Sequence, residues 1–152
     1  MSLAEEVELL RRIPLFHKLE PSKLKLLAFA SERIRFGAGD LLCRQDEPGS
    51  SAFIVICGEA EVLLETPGGP VPLAHVGKND IIGEIAILCD SPRSATVRAT
   101  TDLVALCITK ETLLCLINEF PQMAIEMLRI LAARLEHTNR ELRSIVSAAA
   151  TH

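Results

Sequence analysis

The spacing of apolar residues changes twice along this 152-residue chain, and that change limits its fold more than any single motif. Residues 4–31 read as helical: Ala4–Arg12 carries Val7, Leu9 and Leu10 on one side, Pro14 interrupts, and Pro21-Ser22 opens a second helix. Residues 32–108 break into short runs: Arg33–Phe36, Leu41–Gln45, Ala52–Cys57, Ala60–Glu65, Pro72–Val76, Thr96–Thr100 and Val104–Thr109. Glycines and prolines fall between these runs, where a broken ladder is tolerated, so the middle reads as an all-β sandwich or barrel. Residues 110–146 return to a helical period, as Lys110–Phe120 and then an uninterrupted stretch over 121–146. The class is mainly β with flanking helices, and the length suits a single domain over 1–152.

The long final segment carries a second constraint. Leu128, Leu131, Leu135, Thr138, Leu142 and Ile145 are spaced 3, 4, 3, 4 and 3. This is a heptad seam with one polar member, and so narrow a stripe asks for a partner helix. A homodimer through 121–146 is therefore expected.

Composition excludes several classes. The net charge of −4, with acidic residues beside the basic runs Arg11-Arg12 and Lys18–Lys25, argues against a nucleic-acid surface. No apolar run reaches the roughly 18 residues of a membrane helix, and the opening Met1-Ser2-Leu3-Ala4-Glu5-Glu6 is too acidic for a secretory signal. Cys43, Cys57, Cys89, Cys107 and Cys115 are odd in number and widely spaced. They read as reduced thiols of a cytoplasmic protein, without the tight pairs of a metal site.

The chemistry concentrates in one stretch, residues 82–97, Ile82-Gly83-Glu84-Ile85-Ala86-Ile87-Leu88-Cys89-Asp90-Ser91-Pro92-Arg93-Ser94-Ala95-Thr96-Val97. Gly83 lets backbone approach a ligand, and the short helical turn after it offers unpaired N–H groups to an anion. Arg93 presents a planar fork matching two phosphate oxygens, and the small Ser94 and Ala95 let their N–H groups come near. Glu84 suits a sugar hydroxyl, as acidic residues do in dinucleotide sites. Together these groups describe a nucleotide with one charged phosphate. A structural Glu84–Arg93 ion pair at a turn is the plainer alternative for those two residues alone.

Gly-Glu, a short apolar turn and Pro-Arg-Ser-Ala-Thr-Val resemble the phosphate-binding cassette of the cyclic-nucleotide-binding domain family. Phe36-Gly37-Ala38-Gly39-Asp40-Leu41-Leu42, then Gln45, Gly49, Phe53-Ile54-Val55 and Gly58, resemble the first half of its β-roll. The likeness runs from about residue 12 to 145. It implies a β-roll or jelly-roll barrel with N-terminal helices and a long C-terminal helix. It also implies a non-catalytic sensor, without metal or cofactor, that signals by moving or ordering its C-terminal helix. Glu84 is then the acceptor for the ribose 2′-hydroxyl, beside the backbone of Gly83, Ile85 and Ala86. Arg93 pairs with the phosphate, assisted by Ser94 and Ala95. Two positions depart from the family: Ile82 replaces an aromatic residue, and Asp46 replaces a glycine after Gln45.

Ser94 follows the arginine where alanine favours cAMP and threonine favours cGMP; Arg-Ser-Ala also occurs in catabolite-activator-like regulators, so cAMP is expected and cGMP is possible. Pro121–Glu141 resembles their long dimer helix. By that likeness Thr138 and Asn139 reach the base, Asn139 standing where a serine is usual and offering an amide instead, and Arg134 lies close to the phosphate. Thr138 as a register-setting polar residue, and Arg134 and Asn139 as solvent-facing ones, remain open readings. The sequence ends at His152 without the helix-turn-helix of those regulators, so no direct contact with nucleic acid is expected, and the chain reads as a lone sensor or part of a longer regulator or channel. Rival classes are a ligand-free β-roll interaction module and a cupin-like metal protein. The latter suffers from the scatter of His17, His75, His137 and His152.

Overall fold

A computed structural model of the chain describes residues 2–150; Met1, Thr151 and His152, which the sequence assigns to the domain's ends, lie outside the described residues. The chain divides into two compact units, the first running through Cys115 and the second from Leu116.

The first unit opens with α1 (Leu3–Arg11) and α2 (Pro21–Ala30). Ser2 caps α1 by accepting from the Glu5 amide, and Pro21 starts α2, where a missing N–H costs nothing. Eight antiparallel strands follow: β1 (Glu32–Phe36), β2 (Leu41–Cys43), β3 (Ser51–Cys57), β4 (Ala60–Thr66), β5 (Gly69–Val76), β6 (Ile81–Ile82), β7 (Thr96–Ala99) and β8 (Leu103–Thr109). They form two four-stranded sheets, ordered β1-β8-β3-β6 and β2-β7-β4-β5. This is the β-roll that the turn spacing and the resemblance implied. Its interior is an apolar core in which Phe53, Val55, Val97, Leu103 and Ala105 meet, with Phe36 edge-on to Phe53.

Several boundaries differ from the sequence reading, for identifiable reasons. The run Leu41–Gln45 stops as a strand at Cys43 because Gln45 is used elsewhere. Its amide donates to Thr96 Oγ1, and its side chain bonds both ways with the backbone of Glu65, stitching this loop to β4. In the other direction β5 begins at Gly69, not Pro72, because Pro67-Gly68 closes a tight hairpin with Thr66 opposite Gly69. Pro70 and Pro72 are tolerated there because β5 is a sheet edge.

Between β6 and β7 lies a five-residue helix, α3 (Glu84–Leu88), which packs against β3. Helix α4 (Lys110–Glu119) begins in the first unit. The second unit is dominated by α5 (Pro121–Ala150), four residues longer than the sequence period indicated, since Ala148-Ala149-Ala150 favours helix even without an apolar stripe. Leu128, Leu135, Leu142 and Ile145 are all more than half exposed along it. No helix among the described residues is long and apolar enough to cross a membrane.

Candidate functional site

Gly83 starts the segment that departs from strand geometry. Its φ of 87° lies in the left-handed region, which glycine enters without strain. A side chain there would also collide with Arg93 Nη1. Glycine at this place is thus required by conformation, and it leaves room for the Arg93 guanidinium where it lies.

From Gly83 the chain turns into α3, burying Glu84, Ala86 and Ile87 and leaving Ile85 and Leu88 exposed. The helix closes through Cys89 N–H to Ile85 O at 2.8 Å and Ser91 N–H to Ala86 O at 3.1 Å. Asp90 takes a φ of 49° at the turn, and its carboxylate meets Lys110 Nζ at 2.8 Å, at the start of α4. The hydrogen bond and charge of Lys110 hold the Asp90 carboxyl below its ordinary pKa and raise the Lys110 ammonium above its own.

Arg93 is then clamped from the β2–β3 turn. Its N–H donates to Glu47 O at 2.9 Å, its carbonyl accepts from Asp46 N–H at 2.8 Å, and Pro48 and Pro92 form an antiparallel bridge beside them. The side chain is held as firmly: Nη2 donates to Ser51 O at 2.7 Å and Nη1 to Gly83 O at 3.3 Å, with Cζ 6.0 Å from the Phe53 ring centre. These two bonds use two of the five guanidinium N–H groups. Arg93 is 6% exposed and Glu84 2%. Burying one charge of each sign in one segment is costly unless the groups are partnered, and Arg93 has the carbonyls of Ser51 and Gly83.

The charge of Arg93 also reaches Cys43, whose Sγ lies 3.9 Å from Ala95 O. Burial pushes the Cys43 thiol up, against the lowering effect of the Arg93 cation and a backbone hydrogen bond from Val97. None of the five cysteines is in a disulfide. Among the described residues no group of three or more His, Cys, Asp or Glu is placed to hold a metal.

The structure therefore gathers Gly83, Glu84, Ile85, Ala86 and Arg93 around one corner of the roll, with Ser94 exposed and Ala95 half-buried just after the arginine. Arg134, Thr138 and Asn139 lie on α5 in the second unit, Arg134 half-buried and the other two exposed. Sequence reasoning missed Ser51 and Glu47, which act through backbone carbonyls and leave no trace in residue type. Asp46 was noted as a departure, and its φ of 69° explains why glycine would suit that place.

Comparison with known proteins agrees with this geometry. The model of the cyclic nucleotide-binding domain matches residues 33–120. A CRP-like cAMP-activated global transcriptional regulator of Mycobacterium tuberculosis is 29% identical over 140 residues, covering 91% of this chain and 62% of the regulator. A cAMP-dependent protein kinase regulatory subunit of Emericella nidulans is 35% identical over 94 residues, 62% of this chain and 22% of the subunit. Among solved structures, the catabolite activator protein of Thermus thermophilus superimposes with a TM-score of 0.75 at 29% identity, over 87% of this chain and 62% of that one. The chain thus spans less than two thirds of the length of these relatives.

Proposed function

The chain belongs to the cyclic nucleotide-binding domain family, and from that premise we propose that it is a sensor holding a cyclic nucleotide, cAMP in preference to cGMP, at residues 82–97. The observation that carries this reading is the pair Glu84 and Arg93, both almost wholly buried on one short segment. Arg93 keeps N–H groups for the phosphate beyond those given to Ser51 and Gly83, and its cation matches the ligand's single negative charge. Glu84 accepts the ribose 2′-hydroxyl, beside the backbone of Gly83, Ile85 and Ala86. Ser94 and Ala95 add their N–H groups to the phosphate.

The role is regulatory rather than catalytic, in the cytoplasm, with no cofactor and no direct contact to nucleic acid. The relatives support the regulatory role by name, being a transcriptional regulator and a kinase regulatory subunit. The exposed apolar seam of α5 supports a homodimer through 121–146. In that dimer Thr138 and Asn139 touch the base, Arg134 lies toward the phosphate, and ligand acts by favouring one arrangement of the helix.

A second reading has one observation in its favour. Arg93 is already bonded to two carbonyls, as it would be in a ligand-free interaction module. Titration with cAMP and cGMP separates the two: the sensor binds cAMP more tightly than cGMP, and the module binds neither.

A further inference from the structure

Gly49 is a glycine whose backbone does not require one. The positive-φ glycines are Gly39, Gly58, Gly69 and Gly83, and Gly49 is not among them. Its requirement is space. A Cβ on Gly49 would stand 2.5 Å from Ala86 Cβ in α3, 3.1 Å from Arg93 Nε and 3.2 Å from Arg93 Cδ. The first distance is far inside van der Waals contact, and the other two are tight. One hydrogen atom of Gly49 therefore faces both the helix that carries Glu84 and the stem of Arg93.

The turn that holds Gly49 is fastened to the same arginine by backbone. Asp46 N–H and Glu47 O bond the Arg93 peptide groups on one side, and Pro48 bridges Pro92. Just beyond Gly49, Ser50 O accepts from the Lys110 amide, and Ser51 O accepts from Arg93 Nη2. Residues 46–51 thus contact the Arg93 backbone, its stem and its guanidinium, and at Ala86 they also touch α3.

From this we infer that Gly49 is a positioning residue. By lacking a side chain it sets the separation between α3, with Glu84 at its start, and the Arg93 guanidinium. This rests on the reading of Arg93 and Glu84 as the two ends of a cyclic nucleotide site. A methyl group at position 49 drives α3 and the Arg93 stem apart without removing any ligand-contacting group. The shift lies on the sugar-phosphate side, so it weakens cAMP and cGMP by the same factor.

The test is a set of cAMP and cGMP titrations on the full chain with Gly49→Ala, Ala86→Gly and the double variant, each with a thermal melt. Gly49→Ala weakens both nucleotides about tenfold, as an overpacked contact should. Ala86→Gly removes the methyl that position 49 would strike, so the double variant recovers part of the lost affinity and stays several-fold weaker than Ala86→Gly, because the contact with the Arg93 stem remains. If wild type binds both nucleotides and Gly49→Ala binds them equally well, the inference is overturned while the site stands. A loss that Ala86→Gly does nothing to restore also overturns it. Should wild type bind neither nucleotide, the functional reading itself fails, and the inference with it. If Gly49→Ala does not fold alone, the double variant is compared with Ala86→Gly. The remaining contact with the Arg93 stem leaves it several-fold weaker, and equal affinities would overturn the inference.

Discussion

Arg93 Nη2 donates to the carbonyl oxygen of Ser51 at 2.7 Å, so a backbone group on β3 fixes one edge of the guanidinium. Backbone carbonyls cannot change rotamer, and an arginine held this way presents its remaining N–H groups in a set direction. Preorganised donors of this kind cost little reorganisation when an anion binds. Most of the expected outcomes below follow from this arrangement and from the glycines that leave room for it.

Glu84→Ala should lower cAMP affinity by roughly 1.5–3 kcal/mol, the range for a hydrogen bond to a charged group. The diagnostic is a 2′-deoxy analogue, which should bind wild type more weakly than cAMP but lose little further in the mutant. An analogue penalty of equal size in both proteins would show that Glu84 does not receive the ribose hydroxyl.

Gly58→Ala should behave differently. Gly58 has a φ of 94°, and a Cβ there would overlap the carbonyl oxygen of Asp102 at the far end of β3. The left-handed conformation alone costs an L residue about 1–2 kcal/mol. A lower melting temperature with cAMP affinity unchanged below it is the expected pattern. A selective loss of affinity would mean that the roll's far turn shapes the site.

Thiol labelling reads out the surroundings of Cys43. At pH 8 a maleimide should modify the exposed Cys57, Cys89 and Cys115 well before Cys43. Burial raises the Cys43 pKa and so lowers its thiolate fraction, and only the thiolate reacts. Mass mapping that finds Cys43 among the first sites labelled would contradict its burial beside Arg93.

The dimer is open to a charge test. Leu135 is 62% exposed on α5, in the middle of the seam. Leu135→Glu would place an unpaired carboxylate in a two-helix interface, where a lone buried charge is strongly unfavourable. Light scattering should report a dimer for wild type and a monomer for the variant, with weaker cAMP binding if Thr138 and Asn139 reach the base across the pair. A monomeric wild type would remove the dimer from the account and leave the cassette untouched.

Most of this fold was legible because period and punctuation agree. Glycines and prolines fall where most strands end, the edge strand β5 with Pro70 and Pro72 excepted, and Pro21 and Pro121 each stand at the first residue of a helix. Strand ends were misjudged where a side chain replaced the ladder, as Gln45 does by bonding to Glu65. Of the candidate site, Gly83, Glu84 and Arg93 carry their chemistry in residue type and could be read directly. Ser51 and Glu47 contribute carbonyl oxygens, which every residue owns. Gly49 looks in sequence like any other turn glycine, and only the distance to Ala86 and Arg93 shows that space rather than φ is what it supplies.

Isothermal titration of cAMP into wild type and Arg93→Ala tests the central claim most directly. Removing the guanidinium takes away the cation that offsets the phosphate's desolvation, at a cost of about 2–4 kcal/mol. Wild type should bind cAMP more tightly than cGMP, and Arg93→Ala should bind cAMP roughly 30- to 1,000-fold more weakly. Equal cAMP affinity in the two proteins, or no binding by wild type, would contradict the assignment of this site.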